Sequence, residues 1–335
     1  MANNCATIQR VDAVNPIPGA DRIEVLSVMG WSTVSGKGQY KVGDLVVFVQ
    51  PDSVLPETPE FEEYRRFAPK RVRICQFRGQ ISQGLVLPFS ILGPLGTEEC
   101  LIGDDVSEYL GITHYEKQIP TELAGVVKGG LPKGVHKTDE ESAQNVPGFF
   151  ERHKGKNIYI AEKADGSSAT FYYIHEEFGC CGRNWEYEES ETNAYWRVAR
   201  ALDLETKLIE LGKDIILQGE LIGPGIQGNK YGLKELKFLL FNVCDPQTDL
   251  NYDLPNMLST ALLLGIETVP VLEISTFDYS LQELEEMSNR KSFLNPSVLA
   301  EGIVLRTLDD ERDPETGKAS IKIVSSKYLL ANEDA

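Results

Sequence analysis

The 335 residues carry 33 Lys and Arg against 51 Asp and Glu, a net charge of −18, with 41% hydrophobic and 25% charged side chains. That mixture can bury a core, which excludes a mainly disordered chain, a collagen and a coiled coil, and at roughly 100–200 residues per domain it predicts two domains. The acidic excess argues against a nonspecific nucleic-acid coat, which depends on neutralising phosphates, yet leaves nucleic acid open as a substrate because local charge decides.

The first hundred residues read as β. Apolar, β-branched runs at 6–13, 22–29, 44–49 and 83–87 are separated by Asn15-Pro16-Ile17-Pro18-Gly19, Gly36, Gly38, Gly43 and Pro51-Asp52. Short strands with regular Gly/Pro punctuation predict an OB-like β-barrel over residues 1–112. Residues 65–78 hold Arg65, Arg66, Lys70, Arg71, Arg73 and Arg78 with no acid among them, and Phe67 and Phe77 in between. Basic residues interleaved with aromatics suit a surface that tracks a nucleic-acid backbone and stacks bases. The plainer reading is a solvated rim balancing Glu60, Glu62 and Glu63.

Residues 113–146, polar and rich in Gly and Pro, read as a linker or entry segment to a second domain over 113–335. Strands are expected at 157–162, 169–174, 214–219, 237–243, 302–305 and 321–324. Helices are expected over 192–211, between Pro255 and Gly265, and over 281–289. The whole is an α+β chain with much antiparallel sheet. The longest apolar runs, 238–243 and 261–266, fall far short of the ~18–20 residues of a membrane helix. The first residues lack a basic start followed by an apolar core, which predicts an intracellular protein of cytoplasm or nucleus. Six cysteines without a C-x-x-C pair, and four scattered histidines, predict reduced thiols and no structural zinc.

Chemistry concentrates downstream. Lys163 closes a predicted strand and Asp165-Gly166 follows at once, a place where a lysine with a depressed pKa can act as a nucleophile. A solvent-facing lysine at a hairpin is the alternative. In order come Arg183 in Gly182-Arg183-Asn184-Trp185, Glu220 in Gln218-Gly219-Glu220-Leu221, Phe241 in an apolar run, Glu301 in Glu301-Gly302-Ile303-Val304-Leu305-Arg306, and Lys322 in Ile321-Lys322-Ile323-Val324. Most stand at the end of, or inside, a strand-like run, which is how a sheet-lined pocket gathers charges.

This ordered set resembles the covalent nucleotidyltransferase superfamily of RNA ligases, DNA ligases and mRNA capping enzymes. In particular it resembles RNA ligases with an N-terminal OB module, the Naegleria-type group. The resemblance implies an OB-like nucleic-acid-binding domain followed by a nucleotidyltransferase domain, and an ATP-dependent RNA ligase active in RNA repair. It implies that Lys163 attacks the α-phosphorus of ATP to give lysyl-AMP, with its pKa held down by a metal and by Lys322. Lys322 would also neutralise the α-phosphate. Arg183 would contact phosphate, Glu220 the ribose hydroxyls and Phe241 the adenine, with Glu162 beside it. Asp165 and Glu301 would hold Mg2+ or Mn2+ through its waters. The partner implied is RNA with 3′-hydroxyl and 5′-phosphate ends, bound through residues 65–78, with no membrane and no obligate protein partner.

For each residue there is a plain structural alternative. Arg183 could pair with Glu186 or Glu188, Phe241 could be core packing, Asp165 a turn cap and Glu301 an edge-strand acid. The family's last motif reads Lys-x-Lys. Here Val324 stands at the second position, and either the next lysine, Lys327, reaches the same phosphate or one cation is absent. DNA ligases and capping enzymes carry an OB domain after that motif, and only eight residues follow Lys327, which favours RNA ligase among the siblings. The rival readings are a non-catalytic RNA-binding protein with a degenerate shell, a guanylyltransferase and a DNA ligase.

Overall fold

The computed structural model describes residues 4–78, 80–97, 100–115, 127–309 and 311–332. The chain divides into two compact units, Met1–Gln118 with Leu329–Ala335, and Ile119–Tyr328.

In the first unit, β1 (Ala6–Arg10), β2 (Ala13–Pro16), β3 (Ile23–Val28), β4 (Trp31–Gly36) and β5 (Leu45–Val49) precede the short β6 (Ser53–Val54) and the helical turn α1 (Glu62–Arg65). The hairpin β7 (Cys75–Phe77) and β8 (Gln80–Ser82), β9 (Leu85–Pro88), the turn α2 (Ser107–Leu110) and β10 (Thr113–His114) complete it. One sheet runs β1-β5-β9, a second β2-β3-β4, and β10 pairs with β6. β5 shows why its sequence is continuously apolar rather than alternating. Val47 and Val49 enter one core with Ile8, Leu87 and Phe61, while Val46 and Phe48 enter another with Leu26, Trp31 and Val86. A strand buried on both faces has no polar side to show. The run at 6–13 is two strands, β1 and β2, because the chain turns at Val11-Asp12, where Asp12 Oδ2 accepts from the Met29 amide.

The second unit holds two sheets. The larger has the order β11 (Val127–Gly130), β16 (Trp185–Tyr187), β15 (Glu177–Cys181), β14 (Ser167–Ile174), β17 (Ile215–Ile222), β18 (Lys237–Asp245), β19 (Leu250–Asn251), with β20 (Glu267–Thr268) beside β18. The smaller has the order β12 (Glu141–Ser142), β23 (Ser320–Val324), β22 (Gly302–Thr307), β13 (Asn157–Lys163), β21 (Val271–Thr276). Helices α4 (Ala194–Ala201), α5 (Leu204–Leu211) and α6 (Leu254–Leu264) bury Trp196, Leu204, Leu208 and Met257 with the larger sheet. Helices α3 (Gly148–His153) and α7 (Leu281–Ser288) bury Phe149 and Leu284 with the smaller, and α8 (Ser326–Ala331) follows β23.

The segment read as a linker or entry segment contains short strands. Within it β10 belongs to the first unit, β11 adds to the larger sheet, β12 lies parallel to β23, and residues 116–126 lie outside the described residues. The single helix expected over 192–211 is two, broken at Asp203, whose φ of +51° places it in the left-handed region that Asp tolerates better than most residues. The helix at 255–265 keeps its predicted brackets. Asp253 caps its start, Pro255 lies in its first turn, and Gly265 ends it at φ +64°.

Candidate active site

Strand parity places the central lysine. Ile158 and Ile160 of β13 pack with α3 and α7, whereas Tyr159 and Ala161 join the core of the larger sheet. Successive side chains alternate, so Lys163 projects with Tyr159 and Ala161, and the chain then crosses through Ala164-Asp165-Gly166 into β14 of the other sheet. The same parity in β22 and β23 sends Ile303, Leu305, Ile321 and Ile323 into the α3/α7 core, leaving Arg306 and Lys322 on the other face.

Lys163 pairs in register with Gly302, and the preceding residue, Glu301, closes an ion pair from its Oε1 to Lys163 Nζ at 2.6 Å. Gly302 is required by close approach. A Cβ there would lie 2.2 Å from the Ile323 carbonyl oxygen and 2.9 Å from Val324 Cα. Gly302→Ala should therefore push β22 from β23, cost about 1–3 kcal/mol, and displace Glu301. Urea unfolding measures the cost, and wild-type stability would show that the strands give way freely. Gly166 is needed for the same reason, since its Cβ would lie 2.4 Å from the Leu221 carbonyl oxygen.

The electrostatics differ from expectation at the lysine. Burial lowers the Lys163 pKa, but Glu301, Glu220 and Asp165 raise it further, and the net shift is upward. The side chain is therefore held as an ammonium ion. Lys322 is the depressed cation: burial lowers it, and Lys163 nearby lowers it again. Burial pushes Glu220 up to about 8, opposed by Lys163 and reinforced by Glu301 and Asp165, and its carboxylate accepts from the Gly166 amide. Glu301 is likewise raised, first by burial.

Asp165 has partners absent from the sequence reading. Its Oδ2 takes the Lys230 ammonium at 2.6 Å and the Tyr328 hydroxyl, and its amide donates to the Tyr231 hydroxyl at 2.7 Å. Lys327 is exposed, and its amide, at 3.2 Å, donates to Asn289. The cation found on Asp165 is therefore Lys230. No motif singled out Lys230, which directly follows the glycine-rich stretch Gly225-Ile226-Gln227-Gly228-Asn229.

Arg183 pairs with Asp139 at 3.0 Å, not with Glu186 or Glu188, and its buried Nε has no hydrogen-bond partner among the described residues. Phe241 is half-buried. Gln218 faces Asn242 and Gly219 faces Leu240, so Phe241 is the extra residue of a β-bulge, a device that re-aims a side chain. Arg306 donates to the Phe241 carbonyl at 3.1 Å, lies 5.6 Å from its ring centre and pairs with buried Glu140. Glu162, on the opposite face of β13 from Lys163, accepts from the Ser292 hydroxyl and the Phe293 amide. Its carboxylate braces that loop.

In the first unit, Arg65 pairs with Glu57 at 2.9 Å, and Arg71 pairs with Asp52 at 3.3 Å while its guanidinium lies 4.7 Å from the Tyr115 ring centre. Arg66, Lys70, Arg73 and Arg78 are exposed, with Arg78 donating to the Gly19 carbonyl at 2.7 Å. Phe67 is 71% exposed and Phe77 38%, so the aromatic members do face water.

Among the described residues no three His, Cys, Asp or Glu side chains gather closely enough to chelate a metal directly. Asp165, Glu220 and Glu301 nevertheless offer carboxylate oxygens around one lysine, and their mutual repulsion adds to the burial that lifts Glu220. That donor chemistry fits a hard divalent cation held through water. No helix among the described residues is long and apolar enough to cross a membrane.

The site is a strand-end lysine among carboxylates, between two largely antiparallel sheets. The RNA ligase family model matches residues 156–324, and an OB-fold domain model matches residues 5–89. The chain belongs to the RNA ligase family. It is similar to Naegleria gruberi RNA ligase at 35% identity. A lysine-to-methionine mutant of that protein with AMP and Mn matches with a TM-score of 0.91, covering 99% of this chain and 100% of that one. The form with PPi matches at 0.90, covering 100% of both. A lysine-to-alanine mutant with ATP and Mn matches at 0.90, covering 99% and 100%, again at 35% identity. Across the related structures the substituted residues of that protein are, in chain order, lysine, lysine, aspartate, glutamate, glutamate and lysine. No curated protein matches this chain by sequence.

Proposed function

We propose that this chain is an ATP-dependent RNA ligase that joins an RNA 3′-hydroxyl to a 5′-phosphate through lysyl-AMP on Lys163. The observation that carries this is the Lys163–Glu301 pair at 2.6 Å, set between two sheets and ringed by Glu220, Asp165 and Lys322. The substituted residues of the Naegleria gruberi protein add support, because the last five repeat in type and order Lys163, Asp165, Glu220, Glu301 and Lys322.

In the first step Lys163 Nζ attacks the α-phosphorus of ATP in line with departing pyrophosphate, giving up its proton to Glu301. A divalent cation held by Asp165 and Glu301 through its waters would supply charge that favours the free amine and shields the phosphate. Lys322 faces the phosphate as negative charge builds. Phe241, aimed by its bulge, stacks on adenine, and Glu220 accepts from ribose. Arg183, with a buried donor unsatisfied, binds phosphate. An RNA 5′-phosphate oxygen then attacks the same phosphorus, breaking the P–N bond and restoring Lys163. Finally a 3′-hydroxyl attacks the 5′-phosphate and AMP leaves.

Incubation with α-labelled ATP and magnesium tests this: a denaturation-stable protein–AMP adduct, reversed by pyrophosphate, is expected. RNA retention with no adduct would instead indicate a binding protein. Arg66, Lys70, Arg73 and Arg78 form the RNA-facing surface in this reading, whereas Arg65 and Arg71 are held by their own acids. Reversing Arg66 and Lys70 to Glu should weaken RNA binding and reduce the log K against log salt slope by about 1–1.5, given roughly 0.7 per phosphate on a single strand. Adenylylation should be untouched. An unchanged slope would make the segment a solvated rim.

A further inference from the structure

We infer that Lys230 is a built-in counter-ion that occupies Asp165 in the nucleotide-free protein and competes there with the divalent cation, a reading that rests on the ligase assignment above. Three contacts hold the ammonium: Asp165 Oδ2 at 2.6 Å, the Tyr328 hydroxyl, and the Tyr328 ring at 4.6 Å from its centre. Tyr328 also donates to Asp165, so lysine and tyrosine together saturate that oxygen. The Asp165 side chain is only 12% exposed and that of Lys230 24%, which keeps water from screening the pair.

The backbone that delivers Lys230 is unusual. Gln227, Gly228 and Asn229 have φ of +44°, +68° and +49°, so two non-glycine residues share a left-handed run with a glycine. Asn229 locks the turn by accepting from the Leu233 amide and donating to its carbonyl. Such strain persists only where the surroundings over-determine it.

Charge counting gives the consequence. Asp165 is paired by Lys230 while Glu301 is paired by Lys163, so each of the two acids already holds a cation. A divalent cation arriving alone meets an Asp165 already neutralised, with Lys230 repelling it. Arriving with a polyphosphate, it brings the anion that Lys230 can take in exchange for Asp165. Metal and nucleotide then load together.

The test is Mn2+ binding without nucleotide, read from the free-Mn2+ electron paramagnetic resonance signal. Lys230→Met is expected to bind Mn2+ on the order of tenfold more tightly, because one nearby positive charge is gone. Lys230→Arg should keep wild-type affinity, and Tyr328→Phe should tighten binding a few-fold by loosening the clasp. Unchanged or weaker Mn2+ binding in Lys230→Met overturns the inference. If that variant lacks a cooperative melt, Tyr328→Phe decides, and unchanged affinity there overturns it. ATP labelling of the wild type is measured separately, so a missing adduct counts against the ligase assignment and not against Lys230.

Discussion

Lys163→Ala is expected to abolish the protein–AMP adduct and to lower sealing of RNA ends carrying a 5′-phosphate by a factor on the order of 10⁴–10⁶, the scale on which removal of a covalent nucleophile acts. No neighbour can substitute. Lys322 lies nearby with a lowered pKa, but it stands in the middle of β23, cross-strand from Val304, and has no freedom to reach the position of Lys163. The variant should still seal RNA that already carries AMP on its 5′ end, because the last step needs no lysyl adduct. Mass spectrometry of the intact protein and gel analysis of pre-adenylylated RNA check the two halves. An adduct on the alanine variant would place the nucleophile elsewhere. The pH dependence has a defined sign. Lys163 is raised above its ordinary value by Glu301, Glu220 and Asp165, so adenylylation at limiting ATP should rise with pH through the neutral range.

Arg306→Met is expected to destabilise the protein by about 3–5 kcal/mol, since it leaves Glu140 buried without its partner. Burial alone would raise Glu140, and it is Arg306, with Lys318, that brings its pKa below the usual carboxylate value. Because that pKa is depressed when folded, the stabilisation is present above the unfolded value and is lost as pH falls through the folded one. The destabilisation in Arg306→Met should accordingly shrink at acidic pH, where Glu140 can protonate. Arg306 also holds the carbonyl and ring of the bulge residue Phe241, so the KM for ATP should rise in the same variant. Denaturant unfolding at neutral and acidic pH and initial-rate kinetics measure both. Neutral-pH stability equal to wild type would mean that the pair is dispensable.

Much of this site was readable residue by residue. Lys163, Glu220, Phe241, Glu301 and Lys322 each interrupt or end an apolar run, and a charged or exposed member of such a run stands out. The OB-fold strands were legible for the same reason, through β-branched runs between Gly and Pro. What was not legible depends on contacts between distant segments. Trp31–Gly36 alternates with Ser and Thr and looks like a turn region until it pairs with Ile23–Val28. Asp203 looked like an ordinary helix position. Glu162 adjoins Lys163 in sequence yet faces the other way, braced on Ser292 and Phe293.

By itself, then, the order of residues determined an OB-fold followed by a sheet-rich domain, and a lysine and acids set at strand ends, because hydrophobic period and motif spacing are local properties. Only the tertiary structure decided which cation meets which carboxylate. Lys230 and Tyr328 reach Asp165 across 65 and 163 positions, and Arg306 meets Glu140 across 166. Ion pairs of that kind are set by how two sheets face each other, and no local pattern of sequence encodes that.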